Sequence, residues 1–189
     1  MLIYVHGFNS SAQSFKAGLL RERMAVLGRS AEYACPELAH RPLQAIAQLE
    51  ASIAGSPRAA TALIGSSLGG FYATWLAEKY ELKAVLVNPA VRPCELLRDY
   101  IGPQKNLYTG AEYEFTGQHL AELQELEVAT LAPERYLLMV QTGDEVLDYR
   151  QAVRKYRGAR QIVIEGGDHG FSSFADHLGA VLEFCGVES

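Results

Sequence analysis

The stretch that most constrains the fold runs from residue 59 to 75 and reads AATALIGSSLGGFYATW. Its apolar start is typical of a short buried strand, and the residues from Phe71 onward have helical spacing. Between them lies a G-x-S-x-G motif, with Gly65 and Gly69 two residues on either side of Ser67. A turn this tight presents the serine oxygen at the carboxyl end of the strand, and the glycines leave room for the helix to fold back. The pattern makes Ser67 a candidate nucleophile.

A glycine-rich turn without any chemistry would show the same motif, because glycine and serine are common turn residues. The rest of the chain must therefore supply partners for the serine. With 189 residues, it is long enough for one compact domain, 1–189. Its net charge of −5 and the lack of a basic run argue against nucleic acid as a partner. No apolar run reaches the 18 residues of a membrane span, so we expect no membrane partner.

The cysteines and histidines offer no metal site. Three scattered cysteines do not form a disulfide framework or a zinc motif, and five histidines lack the spacing of metal ligands. The first residues, MLIYVHGF, lack the basic start and the cleavage site of a signal peptide and are typical of a first core strand. We therefore expect reduced cysteines, a cytoplasmic location and no metal or cofactor.

Short apolar runs alternate with amphipathic segments along the chain. The apolar runs predict six strands, at 2–5, 31–35, 59–64, 83–87, 136–141 and 161–164. The amphipathic segments predict helices between them, such as 14–27, in which Phe15 and Leu20 would face the core. This alternation predicts an α/β fold with about six mostly parallel strands and helices on both faces. It pauses between residues 90 and 133, where we expect a cap-like insertion that forms a small flap instead of a full cap. The alternative is a plain surface excursion with a few aromatic residues packed beneath it.

Two polar residues follow late strands, as a serine nucleophile requires. Asp144 follows the fifth strand and His169 follows the sixth, so both are expected at the edge of the sheet that carries Ser67. A histidine can accept the serine proton, and a carboxylate can orient that histidine. Asp148 remains an alternative acid, and Glu145 and Asp168 are weaker ones. The order Ser, Asp, His is that of the α/β-hydrolases.

The loop after the first strand carries the second feature of such a site. In this fold it supplies one backbone N–H of the oxyanion hole, and the residue after the nucleophile supplies the other. By position these are the amides of Phe8 and Leu68. His6, in the same loop, is better explained as a structural residue that braces the loop than as a catalytic one.

The sequence resembles the YqiA/YcfP-type small bacterial esterases, a compact branch of the α/β-hydrolases. The resemblance rests on the blocks YVHGFNSS, IGSSLGGFYATWLAEKY, VNPAVRP, YTGAEY, TGDEVLDYR and GGDHGF, which span residues 4 to 171. It implies a cytoplasmic bacterial esterase without a cofactor, and it marks Ser67, Asp144 and His169 as the catalytic residues. It also implies that Asn88 and the segment from Tyr108 to Tyr113 shape the substrate pocket, to which we add Asn9 and Phe171.

These observations predict a carboxylesterase-type serine hydrolase that cleaves short- to medium-chain acyl esters through an acyl-enzyme on Ser67. One alternative is a thioesterase for acyl-CoA or acyl-carrier substrates, for which Arg92, Arg98 and Lys105 would form a basic rim. Another is a catalytically idle fold that acts as a binding protein. The expected partner is a small-molecule ester or thioester, and the chain is expected to be a monomer or a homodimer.

Overall fold

Six of the strands form one fully parallel sheet. The computed structural model describes residues 1–187, so the last two positions of the predicted domain lie outside the described residues. The strands are β1 Leu2–Val5, β2 Tyr33–Ala34, β3 Ala62–Ser66, β4 Lys83–Val87, β5 Gly102–Lys105, β6 Glu112–Phe115, β7 Tyr136–Gln141 and β8 Arg160–Ile164. The main sheet has the order β2-β1-β3-β4-β7-β8. The predicted parallel α/β fold is therefore confirmed.

Helices cover both faces of this sheet. They are α1 Phe15–Val26, α2 Pro42–Ala54, α3 Leu68–Tyr80, α4 Pro93–Leu96, α5 Gly117–Glu125, α6 Tyr149–Lys155 and α7 Leu178–Phe184. Side chains of successive strand residues point to opposite faces, so each strand contributes to two cores. Ile3 and Leu63 pack with α2 and α3 on one face, whereas Leu2 and Ile64 pack with α1 and α7 on the other.

The face of α1 that meets the sheet differs from the predicted one. Leu20 is buried as expected, but Phe15 is 55% exposed and its neighbour Lys16 is buried. The Lys16 amine donates a hydrogen bond to the carbonyl oxygen of Gly170, in the loop after β8. The predicted buried face is therefore correct at Leu20 and wrong at Phe15, where the helix begins.

The segment 90–133 contains a hairpin that the sequence analysis did not predict. β5 and β6 pair antiparallel as a separate two-stranded sheet, with Gly102 opposite Phe115 and Lys105 opposite Glu112. A signal for β6 was present, because Glu-Tyr-Glu-Phe at 112–115 alternates polar and aromatic residues with the period of a strand. Residues 102–115 are called the hairpin below.

Parallel strands bring several loops to one edge of the sheet. The loops that follow β1, β3, β4, β7 and β8 all leave the carboxyl ends of neighbouring strands. These are the loops that carry the predicted site residues, and this edge is where open α/β sheets hold their ligands. Among residues 1–187, the longest helices fall short of the apolar length needed to cross a membrane.

Candidate active site

Ser67 lies at the turn between β3 and α3 in a backbone conformation that few residues other than glycine adopt. Its φ is 55° and its ψ is −122°. Its amide donates to the carbonyl oxygen of Val87 at 3.1 Å, and its own carbonyl oxygen accepts from the amides of Gly70 and Ala90. Strained backbone persists only where neighbouring structure holds it, and such residues cluster at functional sites. The turn therefore fixes the direction of the Ser67 side chain.

The two glycines of the motif allow two different close approaches. A Cβ atom on Gly65 would lie 2.4 Å from the carbonyl oxygen of Gly69, so Gly65 lets α3 fold back against β3. A Cβ atom on Gly69 would lie 2.0 Å from the carbonyl oxygen of Val5, so Gly69 lets α3 cross the end of β1. Both contacts are with backbone atoms, which cannot move aside as a flexible side chain can.

Hydrogen bonds link the three predicted catalytic side chains in one series. Ser67 Oγ lies 3.1 Å from His169 Nε2, and His169 Nδ1 lies 2.9 and 3.0 Å from the two carboxylate oxygens of Asp144. The His169 side chain is 22% exposed, whereas the Asp144 side chain is 1% exposed. The serine thus has a base within reach, and the base has a buried carboxylate on its other nitrogen.

The environment of Asp144 favours its charged form. Burial opposes ionisation, but hydrogen bonds from His169 and from the amides of Leu147 and Val146 outweigh it, so the pKa of Asp144 lies below its ordinary value. The alternative acids are engaged elsewhere. Asp148 accepts a hydrogen bond from the amide of Arg150 at the start of α6, and the Glu145 carboxylate accepts one from the His169 amide.

The backbone of the loop that carries His169 is fastened by side chains from other elements. The Asn88 amide group donates to the carbonyl oxygens of Asp168 and His169 at 3.0 and 3.1 Å. The Gln141 side chain accepts from the Asp168 amide at 3.1 Å, and Lys16 donates to Gly170. Asp168 is therefore part of this support through its backbone.

Phe8 and Leu68, whose amides are the predicted oxyanion donors, line the same cavity. Neither N–H donates a hydrogen bond within the described chain. His6 fixes the loop before Phe8: its Nε2 accepts from the Leu38 amide at 3.1 Å, and its Nδ1 lies 3.2 Å from the Gly7 carbonyl oxygen. Burial lowers the pKa of His6, so the ring is a neutral brace.

The cavity beside these amides has a volume of about 350 Å³. Asn9 and Tyr113, two of the residues predicted for the substrate pocket, line it. Two further aromatic rings, those of His40 and Tyr72, line it without having been predicted. The His40 ring stacks on Tyr113 with 4.4 Å between ring centroids. His40 precedes α2 and lies far from the other site residues in sequence, so no local pattern marks it.

Three residues predicted for the pocket lie outside the cavity lining. Asn88 is 2% exposed and supports the His169 loop instead, because both ends of its amide group are used by backbone atoms. Phe171 is fully buried and packs edge-on against Phe174. Tyr108 lies near the tip of the hairpin and is 50% exposed.

The three cations considered for a basic rim lie beside two different cavities. Arg92 pairs with Glu95 at 3.4 Å and Lys105 pairs with Glu112 at 3.7 Å, so each has a neighbouring carboxylate. Arg92 and Arg98 line a small cavity beside α4, whereas Lys105 is on the hairpin.

Solved structures share this fold at low sequence identity. An Agrobacterium vitis S4 protein, provisionally described as a hydrolase, matches with a TM-score of 0.75 and 15% identity over 97% of this chain and 87% of that one. Mouse alpha/beta hydrolase domain-containing protein 10 matches with a TM-score of 0.73 and 13% identity over 96% of this chain and 87% of the mouse protein. Est1E from Butyrivibrio proteoclasticus, with ferulic acid bound, matches with a TM-score of 0.68 and 15% identity over 97% of this chain and 86% of Est1E.

A family model assigns the chain more specifically. The model, described as an uncharacterised protein family, UPF0227, matches residues 1–186. The match covers all of the strands and helices described above. The chain therefore belongs to UPF0227, the YqiA/YcfP family within the α/β-hydrolase fold.

Proposed function

We propose that this protein is a serine hydrolase that cleaves short- to medium-chain acyl esters through an acyl-enzyme on Ser67. The observation that carries the proposal is the hydrogen-bonded series Ser67–His169–Asp144. Phe8 and Leu68, whose amides are the proposed oxyanion donors, line one cavity. The nucleophile, the base, the orienting carboxylate and the oxyanion donors of an acyl transfer are then all present.

In the first half of the reaction, the Ser67 oxygen attacks the acyl carbonyl carbon while His169 Nε2 takes the hydroxyl proton. The carbonyl oxygen becomes an oxyanion, which the amides of Phe8 and Leu68 stabilise. Asp144 keeps the proton on His169 Nδ1, so that Nε2 is free to accept, and stabilises the charged imidazole. The intermediate collapses when the ester C–O bond breaks and His169 gives its proton to the departing alcohol.

In the second half, water replaces the alcohol. His169 takes a proton from the water as it attacks the acyl carbon, and the oxyanion forms again between the two amides. Collapse breaks the bond to Ser67, returns the proton to the serine oxygen and releases the carboxylic acid. The cavity supports acyl groups of limited length, because leucine, alanine and aromatic side chains line it and its volume is about 350 Å³. The partner we propose is thus a small-molecule ester or thioester.

Turnover of p-nitrophenyl butyrate tests the proposal. Ser67→Ala should lower kcat by at least about a thousandfold, because the covalent route needs the serine oxygen. Ser52→Ala, which removes a hydroxyl on α2 that bonds only to its own helix, is the matched control and should retain native kcat. Butyryl-CoA run in parallel compares the ester with the thioester. If Ser67→Ala hydrolysed the ester as the native protein does, the proposal would be wrong.

Labelling with a fluorophosphonate separates an idle fold from an unsuitable substrate. A competent serine is phosphonylated as fluoride leaves, and mass spectrometry should find the adduct on Ser67 alone. Absence of both labelling and turnover in the native protein would favour the binding-protein alternative. Asp144→Asn should slow the labelling, since it weakens the base.

A further inference from the structure

The hairpin is joined to the loop that carries one of the oxyanion donors. Residues 6–10 are called the oxyanion loop here. The Tyr113 hydroxyl of the hairpin donates to Asn9 Oδ1 at 2.7 Å, and Asn9 Nδ2 donates to the Gln104 side chain at 3.2 Å. Both ends of the Asn9 amide group are therefore held by the hairpin, one from each strand.

Backbone atoms of the oxyanion loop are held by the hairpin as well. The Leu107 amide donates to the carbonyl oxygen of Asn9 at 3.2 Å. The Asn106 side chain donates to the carbonyl oxygen of Ser10 at 2.8 Å. Its Oδ1 accepts from the amides of Tyr108 and Thr109, so the same side chain shapes the hairpin turn. The loop and the turn thus share one network of hydrogen bonds.

The side chain of Phe8 is held from the same direction. Its ring meets Tyr100 and Phe115 edge-on, each with 5.6 Å between ring centroids. Edge-to-face pairs of this kind favour one ring orientation. Asn9 itself has a φ of 51°, a conformation that costs energy in most residues other than glycine and asparagine. The loop therefore has an uncommon backbone conformation at Asn9, directly after the residue whose amide is the proposed oxyanion donor.

We propose that the hairpin positions the oxyanion hole, and that Tyr113 and Asn9 are the positioning residues through which it acts. The inference rests on the proposed hydrolase function. It extends that function because the hairpin also supplies part of the cavity wall, including Tyr113. An acyl group that packs against this wall contacts the hairpin, which also sets the orientation of the Phe8 amide. Recognition of the acyl group and stabilisation of the oxyanion are therefore coupled.

Removal of the Tyr113 hydroxyl tests this coupling. Tyr113→Phe keeps the ring on His40 but releases Asn9, so kcat for p-nitrophenyl butyrate should fall about 10- to 100-fold with KM nearly unchanged. Affinity for an alkyl trifluoromethyl ketone should fall by a similar factor. Ser67 adds to that ketone, its proton passes to His169, and the resulting oxyanion lies between the two amides. A purely structural role would change Tm without changing this affinity.

Tyr108→Phe is the matched control on the same hairpin. The Tyr108 hydroxyl makes no hydrogen bond within residues 1–187, and its ring lies outside the cavity lining. This variant should keep the native kcat and the native affinity for the ketone. Burial raises the pKa of Tyr113 to about 12, so its hydroxyl is a donor throughout the neutral range in which the two variants are compared.

A double-mutant cycle shows whether Tyr113 acts through Asn9. Asn9→Gly removes the amide group and tolerates the positive φ. In the Asn9→Gly background, Tyr113→Phe should have no further effect on kcat. The proposal would be overturned if the losses in kcat of the two single variants multiplied in the double variant. It would also be overturned if Tyr113→Phe kept the native kcat and the native affinity for the ketone.

Two further measurements keep the outcomes distinct. If Tyr113→Phe does not fold, Gln104→Met is the second variant, because it removes the hydrogen bond from Asn9 Nδ2 to the Gln104 side chain. Gln104 is partly exposed. The substitution should lower both kcat and the affinity for the ketone. A native kcat in Gln104→Met would then overturn the proposal. Failure of the hydrolase function itself would appear separately, as equal rates in the native protein and Ser67→Ala.

Discussion

At the level of single residues, two aspartates after β7 have different surroundings. Asp144 is buried against His169 Nδ1, whereas Asp148 is exposed and caps α6. Four positions separate them, and each fits the loop in which an acid is expected. The position in the sequence does not distinguish the two aspartates. Their hydrogen bonds do, because Asp144 contacts His169 and Asp148 contacts the first turn of α6.

Replacing each aspartate by asparagine should separate these roles. Asp144→Asn should lower kcat by about 10³- to 10⁴-fold, because the amide group no longer holds His169 in the tautomer that accepts the serine proton. Asp148→Asn should change kcat less than about twofold, since asparagine also caps helices well. Steady-state hydrolysis of p-nitrophenyl butyrate measures both. Equal losses in the two variants would contradict the assignment of Asp144.

The sequence predicts a role for residues that a local pattern marks. Ser67, His169 and Phe8 are candidates because a strand end or a turn motif marks their positions, and the structure joins Ser67 to His169 by a hydrogen bond. Asn88 and Lys16 were not recognised as supports of the His169 loop, because their contacts join positions 80 or more residues apart. Such contacts depend on the packing of whole elements, which no local pattern records.

At the level of elements, the crossing of α3 over the end of β1 determines the geometry of the elbow. The helix can approach this closely only because position 69 has no side chain. The crossing also brings Leu68, at the start of the helix, to the loop that follows β1, and both line one cavity. Packing of one helix against one strand thus sets the spacing of the two proposed oxyanion donors.

Alanine substitutions at two helical glycines should have opposite effects on stability. Gly69→Ala should lower the free energy of unfolding by more than about 3 kcal/mol, because the new methyl group would overlap backbone oxygens that cannot yield. Gly18→Ala, in α1, meets no atom within 4 Å and should raise it by about 0.5–1 kcal/mol. Urea denaturation of the two variants measures the difference. A native-like Gly69→Ala would mean that the crossing can widen.

The predicted elements also show where sequence patterns are insufficient. β1, β4 and β7 are predicted because four or five consecutive apolar residues mark a strand that is buried on both faces. The hairpin was missed because exposed and partly buried residues alternate along its short strands, with no apolar run. Its hydrogen bonds to Asn9 join positions 95 and 104 residues apart, which no local pattern records.

At the level of the whole molecule, buried neutral histidines should make stability depend on pH. Burial lowers the pKa of His6 and of His119, although Glu37 acts in the opposite direction on His6. The unfolded chain therefore binds more protons than the folded protein once the pH falls below about 6.5. The free energy of unfolding consequently decreases as the pH falls from 7 to 5.

His6→Gln should reduce this pH dependence. Glutamine does not titrate, so the variant should lose less stability between pH 7 and 5 than the native protein. Between pH 7 and 5, the native protein should lose more free energy of unfolding than the variant, by about 1.4 kcal/mol for each unit by which folding lowers the pKa of His6. Urea unfolding midpoints across this range measure it. An unchanged slope would mean that folding does not lower the pKa of His6.

The supports of the His169 loop have a consequence for the time at which activity can appear during synthesis. The proposed nucleophile precedes the proposed base by 102 residues, and the His169 loop is held by side chains from α1, from the end of β4 and from the end of β7. At about 5–20 residues per second, roughly 5–20 s pass on the ribosome between the two. The emerging chain therefore carries Ser67 without His169 until β8 is made, so the proposed hydrolysis would begin only with a nearly finished sheet.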